Sequence, residues 1–164
     1  MASIYGFTIK GIKQWQGREW LGCQGNIYLN GKKVGWYNDD GNGGSPDIEF
    51  NGTKEEREKV ETEFKQAWVR YYKKYPMQGQ FADLEPSADI FMGEILELIE
   101  AEKIFKVVLK QGKKVLAYYT DIASNKDYMA NFKTIEAYEK FKADYKEKIS
   151  DLKAYKSLED FDIK

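Results

Sequence analysis

The sequence predicts an α+β fold: an N-terminal four-stranded antiparallel sheet packed with three main helices and a small C-terminal αβαβ unit. Three observations carry this. Short runs rich in β-branched and aromatic residues, broken by glycine-containing turns, fill residues 4–50. Capped runs with apolar residues at steps of three and four follow Thr53, Ser87 and Thr134. A strand-like run, KKVLAYYT at 113–120, separates the last two of these helical runs.

In the sheet, Ile4, Phe7, Ile9 and Ile12 mark a first strand, and a polar turn follows from Gln14 to Glu19. The runs GCQGNIYL (Gly22 to Leu29) and KKVGWYN (Lys32 to Asn38) flank Asn30-Gly31. Asn-Gly between two such runs predicts a tight hairpin, because a type I′ turn needs positive φ at both central residues. Asp47 to Phe50 forms the fourth strand.

Thr53 with Glu56 three residues on predicts a capping box at the start of the first helix. Its apolar stripe runs through Val60, Phe64, Ala67/Trp68, Tyr71 and Tyr75, and Pro76 ends it. Residues 77–86, MQGQFADLEP, read as a linker between a unit at 1–76 and a second at 87–164. Ser87 caps a broad apolar helix carrying Ile90, Phe91, Ile95, Leu98, Ile99, Phe105, Val108 and Leu109, with Gly112 placed to close it. Thr134 caps a third helix with Tyr138, Phe141, Tyr145 and Ile149 on one face. Strand 113–120, this helix and a strand at 152–155 are expected to form a right-handed βαβ crossover.

Composition narrows the function classes. The 164 residues contain no histidine, which excludes Ser–His and Cys–His nucleophile pairs, imidazole metal ligands and histidine general bases. One cysteine allows no internal disulfide and fits a reducing compartment. A net charge of −1 gives no global drive toward nucleic acid or anionic membrane. The 12 tyrosines, 9 phenylalanines and 4 tryptophans suit a core edge or a contact surface. Without an apolar run long enough to span a bilayer or a signal-peptide pattern, a soluble cytoplasmic protein is expected. No cofactor and no enzymatic activity are expected.

Five features remain as candidate chemistry. In NDDGNGGSPDIE (38–49), Asn38, Asp40, Asn42, Gly43 and Glu49 fall on calcium-loop positions, yet Pro46 and the flanking strands do not suit an EF-hand. Asp40, Asp47 and Glu49 are the ligands of the alternative metal-dependent hydrolase reading. Pro46-Asp47 with Glu63 and Lys65 spells a nuclease-like PD…ExK pattern, but Glu63 and Lys65 fall two apart in a helix and point away from each other. Cys23 sits in a strand with no cation beside it to activate a thiolate. The helix end WVRYYKKY offers Arg70, Tyr72, Lys73 and Lys74 for a nucleotide or nucleic acid, in the manner of a signal sponge, although cations there also suit the helix dipole. Residues 77–111 carry seven acidic side chains against three basic ones. Asp83, Glu85, Glu94, Glu97 and Glu100 are taken as a partner-binding face able to meet a basic groove.

The stretch GREWLGCQGNIYLNGKKVGWYNDDGNGGSPDIEF resembles the start of small uncharacterised proteins from phages and mobile elements of Gram-positive bacteria. The resemblance implies a setting rich in compact inhibitors of host defence, such as anti-CRISPR proteins, and assigns no functional residue. The resulting expectation is a non-enzymatic binding protein: a phage-encoded inhibitor acting by protein–protein contact on a bacterial partner such as a defence nuclease, within the host cell.

Overall fold

Left-handed backbone at two tight reversals organises the N-terminal sheet. The computed structural model describes residues 1–77 and 85–164. Strand β1 (Ser3–Ile4) turns through Tyr5 (φ 49°) and Gly6 (φ 82°) into β2 (Phe7–Gln16). Strand β3 (Leu21–Leu29) turns through Asn30 (φ 49°) and Gly31 (φ 84°) into β4 (Lys32–Asp39), as the Asn-Gly pair predicts. The two reversals lean on each other, with the Asn30 amide donating to the Gly6 carbonyl at 2.9 Å. Strand β5 (Asp47–Phe50) adds to β4, and a late strand, Asp162–Ile163, lies beside β1. The Tyr5 amide donates to the Ile163 carbonyl at 2.7 Å.

The sheet therefore has six strands rather than four, in the order β5-β4-β3-β2-β1 and then 162–163. Two-residue strands are too short to show a period-two pattern, so β1 and 162–163 escape sequence reading. Strand β2 also runs on to Gln16, so the reversal into β3 is narrower than Gln14 to Glu19.

Helix α1 (Lys54–Lys74) opens on the predicted capping box. The Glu56 amide donates to Thr53 Oγ1 at 3.3 Å, and the Thr53 amide donates to Glu56 Oε2 at 2.8 Å. These bonds hold the Glu56 carboxyl below its usual range. Replacing Thr53 by alanine is expected to cost about 1 kcal/mol, read as a lower urea midpoint with an unchanged slope.

Phe64 is the centre of this unit's core. Its ring meets Phe7 at 5.1 Å, Phe91 at 5.3 Å, Phe50 at 5.5 Å and Trp68 at 5.6 Å, all edge-on. The far end of the stripe differs from expectation. Tyr72 is buried, while Tyr75 is 43% exposed because the backbone leaves helical geometry there (φ −127°, ψ 76°).

Helix α2 (Ala88–Lys110) starts where Ser87 Oγ accepts from the Ile90 amide at 3.4 Å and ends before Gly112 (φ 74°). The chain divides into two compact units, and the division falls within α2. Residues up to Ile99 belong with the N-terminal sheet, joined by 163–164, and residues from Glu100 to Asp162 form the second unit, joined by Met1.

The second unit contains β6 (Val115–Asp121), β7 (Lys126–Phe132), α3 (Ile135–Asp144) and β8 (Ile149–Tyr155). The sheet order is β7-β6-β8, with both outer strands antiparallel to β6. The expected βαβ link between 113–120 and 152–155 is thus corrected. The crossover runs from β7 through α3 to β8, two strands parallel to each other with β6 between them. Strand β7 was missed because KDYMANF is charged at its start and exposed over its first four residues. Thr134 caps α3 as predicted, but the helix ends at Asp144 and Ile149 opens β8 instead. Val115, Ala117 and Tyr138 form one small core cluster of this unit, backed by Phe132, Leu152 and Ala154. No helix among the described residues is long and apolar enough to cross a membrane.

Candidate binding cleft

The glycine-rich loop after β4 is a clasp. Gly41 adopts φ 72°, and its carbonyl accepts from the Glu19 amide at 2.9 Å and the Trp20 amide at 3.2 Å. Its own amide donates to Asp39 Oδ1 at 2.9 Å. The Arg18 amide donates to Asn42 Oδ1 at 3.2 Å, and the Asn42 amide donates to Asp40 Oδ1 at 2.8 Å. The last of these is an Asx turn, the local backbone bond for which Asp and Asn suit such loops. The Trp20 indole N–H closes the clasp by donating to both Asp39 oxygens, at 3.0 and 3.1 Å. The loop and the β2–β3 turn thus fix each other.

Beside the clasp opens a cleft of about 550 Å³. Trp20, Leu21, Tyr37, Asp39 and Pro46 line its sheet side, and Asp89, Ile90, Gly93 and Leu96 come from α2. Asp89, Gly93 and Leu96 share one helical face by their spacing of four and three. Tyr37 faces inward opposite Gly25, two pairs along from the Cys23–Asp39 pair and so on the same face. It is only 4% exposed, and burial first, then the charges of Asp39, Cys23 and Asp89, push its phenol far above the usual tyrosine range. The hydroxyl therefore stays protonated at any physiological pH. Among the described residues, the cleft lining includes two carboxylates and not one lysine or arginine, in a chain with 26 of them.

The metal-ligand set is not assembled. Asp40 serves its own loop, whereas Glu49 stands opposite Trp36 and accepts from its indole N–H at 3.1 Å. Asp47 is exposed opposite Asn38. No group of three acidic or cysteine side chains among the described residues is placed to hold a metal ion. Pro46 lines the cleft, but Glu63 and Lys65 belong to α1, one half-buried and one exposed. Cys23 is buried in β3.

The basic-aromatic set also changes. Tyr72 is 6% exposed and cannot stack on a base, which corrects its place among the nucleotide-binding candidates. Arg70 lies over the Tyr5 ring at 4.2 Å, and Lys74 Nζ donates to the Lys164 carbonyl at 3.5 Å and sits over Tyr75. Lys73 is exposed.

Of the expected partner-binding acids, Glu85 and Glu97 are exposed. Glu94 is half-buried and accepts from the Tyr71 hydroxyl at 2.8 Å, and Glu100 pairs with Lys103 at 3.2 Å. Asp83 lies outside the described residues. Trp20, Tyr37, Asp39 and Gly93 were not singled out from sequence. Gly93 carried the one readable signal, a glycine inside an otherwise apolar helix. No protein-family model, no curated protein and no solved structure matches the chain.

Proposed function

We propose that the protein is a non-enzymatic binding protein that holds a basic protein partner, with the cleft between the clasp and α2 as the centre of contact. One observation carries this reading: Asp39 and Asp89 face a cleft that no cationic side chain lines among the described residues. Glu97 and Glu85, both exposed, extend the negative charge along and ahead of α2. Such a field steers a positively charged surface into place and disfavours partners of like charge. Proteins that handle nucleic acids expose basic grooves, so a bacterial defence nuclease, the partner implied by the resemblance to phage and mobile-element proteins, fits this chemistry.

Capture from a Gram-positive bacterial lysate tests the reading. The wild-type chain is expected to retain a basic protein in a salt-sensitive manner, and Asp89→Lys is expected to reduce that capture at least tenfold. Equal capture by the charge-reversed chain would overturn the proposal.

A further inference from the structure

Gly93 has no structural reason to be glycine. It lies inside α2 with ordinary helical backbone, and a Cβ built on it meets nothing within 4 Å. Alanine there would fit and would raise helix propensity. A glycine at such a position leaves the helix surface low and open, and here that surface is the wall of the cleft.

Directly lining the same cleft, Tyr37 is buried to 4% exposure. Asp89, in the first turn of α2, has no ion-pair partner among the described residues. Asp39 is held in place by the Trp20 indole and the Gly41 amide, which fixes its position without cancelling its charge.

We infer that the cleft is an anchor site for one arginine side chain presented by the partner, with the guanidinium between Asp39 and Asp89 and its stem passing over Gly93. This rests on the binding-protein reading above and names what the cleft would take. Arginine fits better than lysine on three counts. Its planar fork gives a carboxylate two parallel hydrogen bonds, it is more weakly hydrated, and it packs against an aromatic face such as Trp20. Leu21, Ile90 and Leu96 offer apolar surface to the methylene stem. Arginine is also among the side chains that dominate interface energies when they fill a central pocket.

The test is a nuclear magnetic resonance titration of the full ¹⁵N-labelled chain with a capped Gly-Gly-Arg-Gly-Gly peptide. Its counterparts carry lysine or uncharged citrulline in place of arginine. The arginine peptide is expected to shift the Trp20 indole N–H, assigned by Trp20→Phe, and the Gly93 amide in a saturable way. Citrulline should bind at least tenfold more weakly, and lysine should fall between them. Gly93→Ala is expected to raise Tm by about 2–4 °C, and Gly93→Leu to fold while losing the arginine response. Equal binding of arginine and citrulline, no saturable shift at these two signals, or an intact response in Gly93→Leu would overturn the inference. If Asp89→Lys still abolishes partner capture while the arginine peptide fails, the arginine anchor falls and the binding-protein reading stands. If capture also survives Asp89→Lys, both fall.

Discussion

Replacing Phe64 by alanine is expected to destabilise the N-terminal unit by about 3–5 kcal/mol, the cost of emptying a fully packed aromatic site. Phe64 is 2% exposed, and its ring touches β2, β5, the next turn of α1 and the first half of α2 through Phe7, Phe50, Trp68 and Phe91. Four edge-on aromatic contacts converge on it, so neighbouring rings cannot all move in to close the cavity. Phe64→Leu keeps more of the volume and should cost less than half as much. Chemical denaturation followed by tryptophan fluorescence checks both values. A loss below about 1 kcal/mol for the alanine variant would mean that the core is not organised around this ring.

Replacing Gly41 by alanine is the second large effect, and it acts on the site rather than the core. At φ 72° any other residue carries left-handed strain of about 1–2 kcal/mol. A Cβ there also stands 2.5 Å from the Trp20 carbonyl and 2.7 Å from the Gly22 amide, both backbone atoms. The β2–β3 turn must shift, so the clasp opens and Trp20 loses its bond to Asp39. A total of about 2 kcal/mol or more is expected, with a change in the Trp20 indole signal. Gly44→Ala serves as the control, because nothing lies within 4 Å of its Cβ position. It should leave stability and the indole signal close to wild type.

Local signals in the sequence were strong where a short motif decides geometry. Asn30-Gly31 placed the hairpin, Thr53 with Glu56 placed the start of α1, and Ser87 and Thr134 placed two more helix starts. Each works through hydrogen bonds or φ angles confined to a few residues. What was lost depends on distant or irregular pairing. The return of residues 162–163 to the sheet edge needs a contact across nearly the whole chain. Strand β7 lacked the apolar alternation that marks a half-buried strand.

The cleft was hidden for a sharper reason. Counted straight out from the Asn-Gly turn, β3 and β4 would place Trp36 opposite Gly25. A register shift between Ile27 and Tyr28 puts Tyr37 there instead. One irregular residue exchanges the two faces of β4, turning Tyr37 and Asp39 inward and leaving Trp36 on the side that meets Glu49. The sequence WYNDD contains all of these residues but not the bulge that sorts them. Its metal-like spacing is therefore explained by turn chemistry: Asp39 and Asp40 tie down amides of the loop, and Asn42 ties down Arg18.

The acidic helix face was legible as composition but not as roles. Glu94 serves Tyr71 and Glu100 serves Lys103, whereas Asp89 faces the cleft. Charge counts along a sequence do not distinguish carboxylates already engaged within the chain from those turned toward an open cavity.

Hydrogen–deuterium exchange of the free chain and of its complex with the captured partner tests the central claim most directly. The cleft account predicts slowed exchange at residues 39–46 and in the first two turns of α2, with the basic end of α1 around residues 70–75 unchanged. Protection confined to 70–75, with the loop and the start of α2 exchanging as in the free protein, would contradict it.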